Sequence, residues 1–119
     1  MKLLLSNNQL TRYSRSGDYA TTTAIPLEGE LALTAQTLLS WLQSQLTEGE
    51  AVGQVFIEPD GFVGEMDEDG NTTSTRPKLS AAVTAHAEQG SRSVVFSSEA
   101  LPAELRDGLL AAWSQVESI

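Results

Sequence analysis

Six apolar residues, Leu31, Ala35, Leu38, Leu39, Leu42 and Leu46, recur at the spacing of one face of an α-helix. A stripe of that width has to be buried against another layer, so the rest of the chain must supply one. Thr34 reads as an N-cap unless the stripe begins earlier, and Gly49 as a stop. Trp41 falls off the centre of the stripe, which makes it either a flank contact of the core or an exposed anchor for a partner.

The remaining segments say what the second layer is. Lys2–Ser6 and Gln9–Tyr13 flank Asn7-Asn8, and Asn tolerates positive φ, so a tight hairpin is expected. After a polar loop at residues 14–18, the Thr-rich Tyr19–Ile25 reads as a strand ended by Pro26. Val52–Ile57 and Gly61–Met66 flank Glu58-Pro59-Asp60-Gly61, which has the residue preferences of a type I turn and predicts a second hairpin. Asp67–Thr75 is a polar loop without an apolar anchor.

Pro77 suits a first helical turn, and Leu79, Ala82, Val83, His86 and Ala87 then follow at helical spacing up to Gly90. Val94-Val95-Phe96 reads as a short buried strand. Pro102 opens a last helix with the stripe Leu101, Leu105, Leu109, Ala112, Trp113 and Val116. The expectation is one α+β domain over residues 1–119. It holds a mainly antiparallel sheet of about five to six strands and three helices in a single layer on one face.

Charge narrows the partners. The chain has 16 acidic and 7 basic residues and a net charge of −9. Glu48, Glu50, Glu58, Asp60, Glu65, Asp67, Glu68 and Asp69 follow one another with no Lys or Arg between them. The bases are scattered, so direct binding to nucleic acid or to an anionic membrane is not expected. With no run of about 20 apolar residues, neither a membrane span nor a secretory leader is expected, and the reading is a soluble cytoplasmic protein. There is no cysteine, which removes disulfides, thiol catalysis and Cys-ligated zinc.

The chemical motifs are weak. Glu65, Asp67, Asp69 and Gly70 match positions 1, 3, 5 and 6 of a calcium loop, but Arg76 stands where a closing Glu is needed. A solvated acidic turn is the simpler reading, and no metal or cofactor is expected. His86 is the only histidine and has no partner visible in the sequence; it reads as structural, on the stripe with Leu79 and Val83. No Gly-x-Ser-x-Gly and no Gly-x-Gly-x-x-Gly occurs, and acids are too dense for any carboxylate pair to point to glycoside hydrolysis.

The functional expectation is a small acidic, non-enzymatic protein-binding module of the adaptor, inhibitor, chaperone-like or immunity type. Asp60, Glu65, Asp67, Glu68 and Asp69, with Trp41 as an anchor, would face a basic partner protein. Carboxylates standing in for nucleic-acid phosphates are one version of it. The alternatives are a small enzyme or ligand binder using His86, in which case His86 would line a concave pocket with apolar walls, and a homodimer or other assembly subunit.

Overall fold

The computed structural model describes residues 1–119. It is an α+β fold with one antiparallel six-stranded sheet and two α-helices. In chain order come β1 (Lys2–Ser6), β2 (Gln9–Ser16), β3 (Tyr19–Ile25), α1 (Gly29–Gln45), β4 (Ala51–Met66), β5 (Thr72–Ala87), β6 (Gly90–Ser97), a single 3₁₀ turn (Ser98–Ala100) and α2 (Ala103–Glu117). The strand order is β3-β2-β1-β4-β5-β6. The β1–β2 hairpin closes through Asn7 and Asn8 at φ 52° and 61°, the left-handed pair of a type I′ turn. From the edge strand β3 the chain crosses over the sheet as α1 and returns as β4, on the free side of β1.

Alternation along the strands builds the core. Leu3, Leu5, Leu10, Ile25, Val55, Ile57, Leu79, Ala81 and Val83 are buried on one face. Leu31, Leu38 and Leu42 of α1 and Leu105, Leu109, Trp113 and Val116 of α2 cover that face. Arg12 reaches from the same face to the end of α2, where its Nη1 donates to the carbonyls of Val116 and Ile119, both at 3.0 Å. A cation there complements the negative pole of the helix. No helix is long and apolar enough to cross a membrane.

Two expectations are corrected. The expected middle helix is strand β5, and two helices are present rather than three. Leu79, Ala81, Val83 and Ala85 are buried while Ser80, Ala82 and Thr84 between them are only half-buried, which is the two-residue period of a strand. Ala at both phases, together with Val83, let the sequence match a helical stripe as well. The expected hairpin turn at Pro59-Asp60 is a bulge inside one continuous strand: Pro59 pairs with Leu79 and Phe62 with Pro77, so two residues of β4 oppose one of β5. Gly61 at φ 85° takes the left-handed conformation that this bulge requires. The true turn is the acidic segment at Asp67–Asn71.

β6 is also not a buried strand. It is the sheet's outer edge, with Val94 and Phe96 half-buried and Val95 65% exposed. Trp113 is a core residue, whereas Trp41 is half-buried on α1, edge-on to Phe96 with ring centres 5.4 Å apart.

Candidate functional site: the acidic arm and the His86 cleft

β1 pairs with β4 only at Val55–Ile57, and β6 pairs with β5 no further than Ser80. Beyond those points β4 and β5 have only each other. Residues 59–79 therefore project from the sheet as a two-stranded arm, which accounts for the molecule's dimensions of 53 × 36 × 30 Å. Its radius of gyration of 15.6 Å exceeds the roughly 13–14 Å of a compact chain of this length.

An isolated two-stranded ribbon is marginal in water. Here its root is tied to the core. Leu79 is buried and donates its N–H to Oγ of Ser98, the one buried polar side chain, at 3.0 Å. Arg76 bridges Glu65 on the neighbouring strand, at 3.2 Å, and Glu99 of the 3₁₀ turn. At the tip the Asp67 carboxylate accepts the N–H groups of Asp69 (3.0 Å) and Asn71 (2.9 Å), with Gly70 at φ 82°.

The structure brings five of the six residues singled out as a partner face onto this arm: Asp60, Glu65, Asp67, Glu68 and Asp69. Trp41 lies apart, on α1. Their electrostatic roles differ. Asp60 lies 3.7 Å from Lys78, Glu65 pairs with Arg76, and Asp67 serves the turn. Glu68 and Asp69 have no ionic partner for their carboxylates. Below the arm Glu58 lies 3.9 Å from Lys2, and Glu50 makes a two-pronged bond to Arg92 at 2.7 and 2.8 Å. That bond from Arg92, helped by Thr47, holds the Glu50 carboxyl at about 2 instead of 4.5. The bases come from other strands, so the unbroken acidic run of the sequence is half neutralised in space. No group of three acidic or histidine side chains converges to hold a metal ion.

Sequence reasoning missed the arm's apolar side. Phe62, Gly64 and Met66 alternate onto one face of β4, with Phe62 76% and Met66 66% exposed. The signal that could have found them was the strand itself: once residues 58–61 are read as a bulge, Phe62 and Met66 become neighbours on a ribbon face with nothing to cover it.

A second feature lies at the opposite end of β4. Val52 pairs with Ala85 and Val55 with Val83, so Gly53 and Gln54 bulge opposite Thr84. The β1–β2 turn ends its pairing with β4 at Val55, leaving an open cleft of about 640 Å³. Leu5, Leu39 and Val52 form its apolar wall, and Asn7, Asn8, Gln54, Thr84 and His86 supply polar groups. His86 is therefore not on a helical stripe in the core. It is exposed on β5, its ring lying over Gly53, where a Cβ would collide with Cδ2 and Nε2 of the imidazole. The cleft has no carboxylate in its lining to orient His86 as a general base. Its hydrogen-bonding groups suit binding better than proton transfer.

Comparison with protein-family models, with curated proteins and with solved structures finds no match, so function rests on this geometry alone.

Proposed function

We propose that this chain is a protein-binding module that offers its β4–β5 arm to a partner with a basic surface. The observation that carries the reading is the arm itself. It leaves the sheet, exposes Phe62 and Met66 on one face, and ends in the unpaired carboxylates of Glu68 and Asp69. Apolar anchors next to charge are what a recognition surface needs: the anchors supply affinity and the rim charges supply steering.

The test is affinity capture from native lysate with the wild-type chain, Phe62→Ser/Met66→Ser, and Glu68→Gln/Asp69→Asn. A partner held by the wild type should be lost with the first variant. With the second it should associate more slowly and with weaker salt dependence. Equal capture by all three sinks the proposal.

A second reading, binding of a small ligand, is favoured by the cleft, in which an apolar wall faces the polar side chains of Ser6, Asn7, Asn8, Gln54, Thr84 and His86. Sugars and amides should shift the amide spectra of the wild type at the cleft and shift those of His86→Ala less; an unresponsive wild type would speak against it.

A further inference from the structure

We infer that two copies of this chain join through β3, edge to edge and antiparallel, into one continuous twelve-stranded sheet. β3 is the terminal strand beside β2 and its outer side meets nothing. Natural sheets guard such edges with charge, proline or bulges. The other free edges here are guarded: β6 carries Arg92, and the arm carries Pro59, Pro77, charges and bulges. β3 has none of these. Tyr19-Ala20-Thr21-Thr22-Thr23-Ala24-Ile25 is uncharged and proline-free, and it pairs with β2 without a break from Tyr19 to Ile25.

The phase of the ladder, with the span of the strand, selects the register. Ser16 and Tyr19 close the two-residue turn at Gly17-Asp18, so they form a hydrogen-bonded pair. Tyr19, Thr21, Thr23 and Ile25 therefore spend their main-chain groups on β2, and Ala20, Thr22 and Ala24 turn theirs outward. A two-fold axis at Thr22 sets Thr22 against Thr22 and Ala20 against Ala24 of the other copy, satisfying every outward group. Two-fold registers centred on Ala20 or Ala24 overlap much less of the strand; those centred on Thr21 or Thr23 also pair outward residues, but they set Ala24 against Asp18 or Ala20 against Pro26, outside the strand, and so leave outward groups of β3 without strand partners.

A second observation selects the same register. Tyr19 is 79% exposed and points to the helix-covered side, as Ile25 does. Beside Ile25, Pro26, Leu31, Gln115 and Ile119 line a cleft of about 440 Å³, with Glu28 and Glu30 in its wall. With Thr22 on the axis, Tyr19 of each copy stands opposite Ile25 of the other and on the same face, where cross-strand side chains meet. Each ring then enters the other copy's cleft.

The acids at the seam are Asp18, Glu28 and Glu30, none of them in β3 itself, and the larger acidic cluster is remote. The acidic arm begins three places away in the strand order, roughly 14 Å at the usual strand spacing and beyond a Debye length of about 8 Å.

The absence of cysteine makes the test direct. At about 0.1 mM, sedimentation equilibrium of the wild type should report twice the 12.7 kDa chain mass. Thr22→Cys alone should cross-link under mild oxidation. Ala20→Cys and Ala24→Cys should each fail alone and cross-link when mixed. Thr22→Pro removes an outward N–H without touching the β2 ladder and should give a monomer with an unchanged circular dichroism spectrum. Tyr19→Ser should weaken association at least tenfold. A monomeric wild type at that concentration, or efficient cross-linking of Ala20→Cys alone, overturns the inference. The cysteine series decides the matter even if Thr22→Pro fails to fold.

Discussion

Ser98→Ala is the most informative single perturbation of the arm. Its Oγ accepts the Leu79 N–H at 3.0 Å, and both residues are buried, Ser98 at 2% and Leu79 at 1% exposure. Leu79 is the last buried residue of β5 before the arm, and β6 has already stopped pairing at Ser80. A methyl group in place of the hydroxyl leaves that N–H without its acceptor. Stranding a buried donor costs about 1–3 kcal/mol. For a chain of this size that lowers Tm by roughly 3–12 °C. Ser97→Ala is the matched control, since the Ser97 Oγ only caps the exposed Glu99 N–H at 3.2 Å; it should cost less than about 1 kcal/mol. Urea unfolding should show the difference at an unchanged m-value, and amide exchange at Leu79 should rise more than at Val83. If Ser98→Ala unfolds within about 0.5 kcal/mol of the wild type, or no earlier than Ser97→Ala, the Ser98 tie does not hold the arm's root.

Three further outcomes follow from the packing and the ion pairs. Val83→Ala, at a fully buried site between Val55 and Val94, should lose about 2–3 kcal/mol in urea melts, whereas Val95→Ala, 65% exposed, should stay within about 0.5 kcal/mol. Arg12→Met removes two bonds to the carbonyls of Val116 and Ile119 and should cost about 1–2 kcal/mol, with faster amide exchange in the last turn of α2. Glu50 is depressed from 4.5 to about 2 by Arg92, so the pair supports the fold above pH 4.5 and that support is lost as pH falls towards 2; Glu50→Gln should flatten part of the acid-side decline in Tm across that window.

The fold was legible wherever one periodicity stood alone. α1, α2, the Asn7-Asn8 turn and strand β3 could be read directly, because Leu stripes and an Asn pair at a turn have few alternative uses. β5 could not. A strand whose buried positions are Leu79, Ala81, Val83 and Ala85, with Ala82 between them and His86 just after, satisfies both periods, and alanine is a good helix former. What decides is tertiary: β4 offers an unpaired edge, and twelve residues of β5 pair along it. The glycines of β4 were the local clue. Gly53 and Gly61 each fall in a bulge, which is what isolated glycines inside a strand tend to mark.

The site was legible in its charge and hidden in its geometry. A run of carboxylates looks like one negative surface because sequence order shows only neighbours along the chain. A strand places its true neighbours across the ladder, and there Lys2, Lys78, Arg76 and Arg92 meet Glu58, Asp60, Glu65 and Glu50. The first three of these pairs are exposed and add little stability. Their effect is on shape: they cancel charge along the arm's flanks and leave it at the tip, on Glu68 and Asp69. On the proposed reading, a tip charge would steer a partner without having to be desolvated in the bound state, while the uncharged Phe62–Met66 face beside it would be buried. Charge and apolar surface are thus separated along one ribbon, so that the two sets of substitutions should act on different constants. Loss of the tip carboxylates should change the association rate, and loss of the apolar pair should change the dissociation rate.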